Sequence, residues 1–233
     1  MPVFWLSEKN LVFPNPELAG PQGVLAIGGD LSPQRLLKAY QMGIFPWFGP
    51  GEPIMWWSPD PRFVLFPAEL NVSRSMRPYF NQRKFDVTYD QQFESVMREC
   101  ASQYRPGQGG TWITKGMIRG YTQLHEMGYA HSVEVWQEGE LAGGLYGIAL
   151  GKVFYGESMF MKVSNASKFG FISLVRELEA RGFWLIDCQQ ETPHLASLGA
   201  RSIPRKKFLG LLERNSSEPT LKGSWAGWSK EDK

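Results

Sequence analysis

Two runs within residues 153–188 decide the fold. They are Val153-Phe154-Tyr155-Gly156-Glu157-Ser158-Met159-Phe160 and Phe183-Trp184-Leu185-Ile186-Asp187-Cys188. The first reads as a strand whose side chains alternate between two faces, Tyr155, Glu157 and Met159 on one and Phe154, Gly156 and Ser158 on the other. Asn165 then opens a helix with Phe171, Ile172, Val175 and Leu178 on its buried face, and Gly182 closes it. The second run is continuously apolar, as in strands covered on both sides. Strand, helix and strand in this order make a helix that crosses over to a parallel strand.

Upstream lies an antiparallel meander. Ser132 to Trp136 is a strand, Glu138-Gly139 a turn, Glu140 to Ala149 the return, and Leu150-Gly151 the next turn. Before it, Phe85 to Tyr89 alternates as a strand. Asp90 is expected to cap a helix to about 102 that buries Phe93, Val96 and Met97. Tyr104 to Gly110 reads as a loop. Thr114 caps a helix carrying Met117, Ile118, Tyr121 and Leu124, stopped by Gly128. A short strand, Phe63 to Phe66, and a helix over 73–81 opened by Ser73 precede these.

Residues 1–61 are rich in Pro, Gly and Trp and give one clear helix. Ser32 is its N-cap, Pro33 its first residue, Leu36, Leu37 and Tyr40 its apolar stripe, and Gly43 its end. Pro59 and Pro61 stiffen the turn around Asp60, which marks a domain boundary: 1–61 small, 62–233 large. Short helices are expected near 192–198 and 204–214, and a loose, polar tail from about 215. The class is α+β. The order of elements after 84 resembles the GNAT acyltransferase architecture, a mixed sheet flanked by helices.

Composition narrows the chemistry. The 233 residues include only 2 Cys and 3 His, against 15 Phe, 9 Trp and 8 Tyr. Two cysteines make neither a disulfide scaffold nor a zinc cluster, and no metal site is expected. The net charge of +2 permits nucleic-acid binding without announcing it. The N-terminus lacks the pattern of a secretory signal, and no apolar run is long enough to span a membrane, so a cytoplasmic location without membrane contact is expected.

Polar side chains interrupt the two deciding strands. A glutamate in an apolar strand is unfavourable unless paired or hydrated, so Glu157 either grips a substrate or bridges Lys162 or Lys168. Asp187 and Gln189 project from one face at the carboxyl end of a strand, where ligands gather in α/β sheets, or else cap the helix at Thr192. Asp accepts protons or holds an ammonium, and Gln donates to a carbonyl oxygen. Arg74, Arg77, Arg83 and Lys84, with Tyr79 and Phe80 among them, form either a nucleic-acid footprint or a solvated surface. A coenzyme A site in a GNAT-like enzyme usually has a Gly-containing loop before the crossover helix. Met161 to Lys168 has no glycine, so the acyl donor is not expected to be coenzyme A.

Seven motifs stand in order: Gly28-Gly29-Asp30-Leu31, Gly43 to Phe48, Trp56 to Arg62, Gly110 to Thr114, His131 to Trp136, Gly156 to Phe160 and Leu185 to Gln189. Together they resemble the bacterial leucyl/phenylalanyl-tRNA–protein transferases, from about residue 3 to 214. The resemblance implies transfer of Leu or Phe, and weakly Met, from aminoacyl-tRNA to proteins with N-terminal Arg or Lys, marking them for degradation without a cofactor. It implies Asp187 and Gln189 as a proton relay and Glu157 as the holder of the aminoacyl amine or sugar. By the same resemblance Phe154 and Ile186 match positions of the acyl pocket, with Leu145, Phe171 and Leu174 near them in the pattern. Tyr40, Trp47, Trp112 and Tyr121 line the acceptor or adenosine site, and Arg74, Arg77, Arg83 and Lys84 contact tRNA. A peptidoglycan-type aminoacyl transferase and a non-catalytic tRNA binder are the competing readings. The first usually has a longer chain, and the second has no use for Glu157, Asp187 and Gln189 together.

Overall fold

The computed structural model describes residues 3–103 and 111–229. The loop expected over Tyr104 to Gly110 lies outside them.

Two sheets organise the chain. The smaller has the order β1-β2-β4-β3 and is built from β1 (Phe4–Leu6), β2 (Val24–Gly28), β3 (Phe45–Pro46) and β4 (Met55–Trp57). Helix α1 (Pro33–Gln41) connects β2 to β3. Ser32 caps it as expected, its hydroxyl accepting from the Arg35 amide. Trp56 is fully buried and donates from Nε1 to the Gly28 carbonyl at 2.9 Å, and Trp57 donates to the Trp47 carbonyl at 2.6 Å.

The larger sheet has seven strands. Chain order gives β5 (Arg62–Leu65), α2 (Arg77–Asn81), β6 (Asp86–Tyr89), α3 (Phe93–Ser102), α4 (Lys115–Glu126), β7 (Ala130–Gln137), β8 (Glu140–Leu150), β9 (Val153–Met161), α5 (Ala166–Ala180), β10 (Leu185–Gln189), α6 (Pro193–Ser197), β11 (Arg201–Ile203) and α7 (Arg205–Asn215). The spatial order is β11-β5-β10-β9-β8-β7-β6. Only β9 and β10 pair in parallel, as the crossover through α5 requires; the other pairs are antiparallel. One face of the sheet buries Tyr146, Ile148 and Tyr155 against α3 and α4, with Tyr40 of α1. The other buries Val133, Leu145, Phe154 and Ile186 beneath Phe171, Ile172 and Leu174 of α5. This is the α+β class expected, a mixed sheet flanked by helices. Among the described residues no helix is long and apolar enough to cross a membrane.

The alternation in β9 breaks where the sequence gives no warning. Tyr146 pairs Ser158 but Gly147 pairs Gly156, so Glu157 is an extra, bulged residue. The bulge turns Met159 to the α5 face rather than to the side of Tyr155. It also crowds β8: a Cβ on Gly147 would lie 2.3 Å from the Tyr155 carbonyl oxygen, so only glycine fits there.

Four local expectations need correction. The helix expected over 73–81 begins only at Arg77, because Pro78 has no amide to give to a longer helix. Asp90 does not cap α3. Its φ is +56°, and its carboxylate binds the His131 ring at 2.9 Å and the amides of Ser132 and Trp225 at 3.0 and 2.6 Å. Glu134 reaches across from β7 to accept from the Gln91 and Gln92 amides instead. Strand β11 was not foreseen. The segment from 215 to 229 is docked, not loose: Trp225 is buried, stacked between His131 (centroids 3.5 Å apart) and Trp228 (3.9 Å).

Candidate active site

Strands β9 and β10 pair over only three residues, ending at Tyr155 opposite Asp187. Beyond that point the bulge at Glu157 turns one strand, and a register shift between Asp187 and Gln189 turns the other. Gln189 sits at φ +61°, an unfavourable conformation for a side-chain-bearing residue, held by its own amide donating to Asp187 Oδ1 at 2.9 Å. The strands part, and a cavity of about 640 Å³ opens in the gap.

Glu157 and Gln189 face each other across this opening. Glu157 Oε1 accepts from Tyr40 Oη at 2.7 Å and from Gln189 Nε2 at 2.8 Å, and Oε2 accepts from Tyr121 Oη at 3.0 Å. The two tyrosine hydroxyls also touch each other. With Glu157 ionised, two hydroxyl protons serve three oxygen–oxygen contacts; with Glu157 protonated, three protons serve three contacts and the ring closes. Burial pushes the Glu157 carboxyl up to about 7, against the pull of its three hydrogen bonds. Burial, then the Glu157 charge, holds both phenols well above their usual range, so they remain protonated.

Asp187 stands behind this pair. It is completely buried and does not line the cavity. Arg62 takes both its oxygens, Nε to Oδ1 at 2.8 Å and Nη2 to Oδ2 at 2.5 Å. Arg62 also donates to the Gly43 carbonyl and lies between the rings of Phe45 and Phe208. Sequence reading passed over Arg62 as a site residue. The signal was there: an arginine opening the strand Arg62-Phe63-Val64-Leu65, every residue of which is buried.

The other expected residues divide. Leu145, Phe171, Ile186, Trp47 and Trp112 line the cavity. Tyr40 and Tyr121 do not line it; they grip Glu157 from the α1–α4 side. Phe154 and Leu174 do not reach it either, because alternation and helix phase turn them into the core under α5. Neither lysine proposed as a bridge to Glu157 plays that part: Lys162 pairs with Glu99 at 2.6 Å, and Lys168 lies on the cavity wall. Thr192, not Asp187 or Gln189, caps α6. Arg74, Arg77, Arg83 and Lys84 are exposed on and around α2. Their segment meets the cavity rim through Tyr79, whose hydroxyl accepts from Asn165 Nδ2 at 3.0 Å.

The arrangement is a carboxyl raised to about 7, an amide donor and an apolar wall in one cavity. Comparison with known proteins identifies its class. The family described as leucyl/phenylalanyl-tRNA protein transferase matches residues 64–213, and its N-terminal domain matches residues 29–60. The leucyl/phenylalanyl-tRNA–protein transferase of Syntrophus aciditrophicus is 56% identical over 94% of this chain and 91% of its own.

The chain belongs to this family.

It is therefore an aminoacyltransferase. The leucyl/phenylalanyl-tRNA–protein transferase of Nitrosospira multiformis is 59% identical over 88% of each chain. Among solved structures, a GCN5-related N-acetyltransferase from Kribbella flavida aligns over 71% of this chain and 59% of its own, with a TM-score of 0.35 and 9% identity.

Proposed function

We propose that the chain transfers Leu or Phe from aminoacyl-tRNA to the α-amine of proteins with N-terminal Arg or Lys, forming a peptide bond and marking the product for degradation. The observation that carries this reading is the juxtaposition of Glu157 and Gln189 with the apolar wall of Leu145, Phe171 and Ile186 in one cavity. The relatives' names supply Leu and Phe; the family resemblance supplies the acceptor and the fate of the product.

The ester donor arrives activated, so holding it against the amine supplies much of the rate. The neutral amine attacks the ester carbonyl, Glu157 takes the proton released, and that proton passes to the ribose oxygen as it leaves. An α-amine has a pKa of about 7.7–8.0, so a carboxyl near 7 suits both halves of the transfer. Gln189 Nε2 orients Glu157. Asp187 acts at one remove: it fixes the Gln189 backbone and does not itself meet substrate.

Incubation with labelled Leu-tRNA and peptides beginning with Arg, Lys or Ala tests the reading. Label is expected on the first two peptides only; label on none removes the proposal. Val-tRNA, one methylene short of Leu, should react more slowly by about 10–200-fold, because an apolar pocket discriminates weakly per methylene. Met should therefore leak through.

The exposed basic group around α2 is proposed to hold the tRNA backbone. Arg77→Ala and Lys84→Ala should each weaken tRNA binding and lower the slope of log affinity against log salt by about 1. Unchanged slopes in filter binding across a salt series would assign the patch to solvent.

A further inference from the structure

The cavity is charged at two places. Glu157 carries the one carboxylate among its described lining residues, and Lys168 and His194 carry the basic groups. The mechanism above uses the first and leaves the other two without a task. Lys168 stands in the first turn of α5, where no acidic residue occurs. A cation there opposes the positive end of the helix dipole, so the placement is unfavourable unless an anion joins it. Among the described residues Lys168 has no acidic partner.

His194 adds a second, separate sign. Its Nε2 is buried at the cavity wall with no hydrogen-bond partner among the described residues. Buried polar atoms in folded proteins are rarely left unpaired, and this one borders the space a ligand fills. Burial, then the nearby Lys168 charge, holds the imidazole below its usual range. It meets the cavity as a neutral group, able to donate a hydrogen bond beside a fixed cation.

Geometry connects the pair to the surface. Asn165, three residues before Lys168, lines the cavity and binds Tyr79 of α2. Lys84 lies over the Tyr79 ring at 5.0 Å, and Arg77 opens the same helix. A polyanion on α2 can thus continue past Asn165 to Lys168 and end with its ester beside Glu157.

We propose that Lys168 and His194 form the subsite for the phosphodiester of the donor's terminal nucleotide, placing the ester against Glu157 and Gln189. This rests on the transfer reading above and adds the group that sets the donor's depth in the cavity.

The test uses a non-hydrolysable donor end, 3′-phenylalanylamino-3′-deoxyadenosine, with and without a 5′-phosphate, titrated into the full chain by calorimetry. In the unaltered protein the phosphate is expected to improve affinity about tenfold, the scale of a charge-assisted contact. Lys168→Met should bring that ratio to about one and Lys168→Arg should keep most of it; His194→Leu should lower it about threefold. A ratio near one in the unaltered protein overturns the proposal. So does a ratio unchanged by Lys168→Met, including the case in which that variant weakens both analogues by the same factor and the tenfold preference persists. Inorganic phosphate binding as tightly as the phosphorylated analogue would make this a free-anion site and overturn it too. Failure of both analogues to bind the unaltered protein would reject the transfer reading itself.

Discussion

Glu157→Gln is expected to lower turnover by about 10²–10⁴-fold, the range for loss of a positioned general base. The substitution keeps the shape of the side chain and an oxygen to accept from Gln189 or Tyr40, so the fold and donor affinity should change little. The pH profile separates a chemical role from a structural one. Below neutrality the reaction of free enzyme with free substrate needs an ionised Glu157, whose carboxyl lies at about 7, and a neutral acceptor amine. Both conditions improve as pH rises, so log kcat/KM should climb with a slope approaching two. With Gln at 157 only the amine titrates, and the slope should fall to one. A slope of one in both proteins would show that Glu157 holds substrate without taking its proton.

How far the sequence carried this can be read from particular residues. Elements with local signals were legible: Ser32-Pro33 and Thr114 start their helices as read, and the Glu138-Gly139 and Leu150-Gly151 turns set the meander. The juxtaposition of Glu157 with Gln189 was legible only in part. The bulge depends on β8 supplying Gly147, and the sharp turn at Gln189 on Asp187 supplying an acceptor, so both are properties of pairs distant in sequence. The tail misled for a related reason. Its composition is polar, but Trp225 and Trp228 were the residues to weigh, since Trp225 fills a slot between His131, Phe154 and Phe183. Asp90 adjoins α3 in sequence, whereas its partners lie on β7 and in the tail.

The second large effect concerns the ion pair beneath the site. Arg62→Met leaves the Asp187 carboxylate buried without its cation, and Asp187→Leu leaves the guanidinium buried without its anion. Each should destabilise the chain by about 3–5 kcal/mol, seen as a lower urea midpoint, because the uncompensated charge cannot regain its hydration. The double variant should recover most of that loss, since a buried pair replaced by apolar groups of similar volume is often neutral or better. Activity should not recover with it. Without Asp187 Oδ1 the Gln189 amide loses its acceptor, and the left-handed turn that aims Nε2 at Glu157 loses its restraint. Stability restored with transfer still absent is the result that makes Asp187 a positioning residue. Transfer restored in the double variant would mean that β10 holds Gln189 in place unaided, and Asp187 would then serve the fold alone.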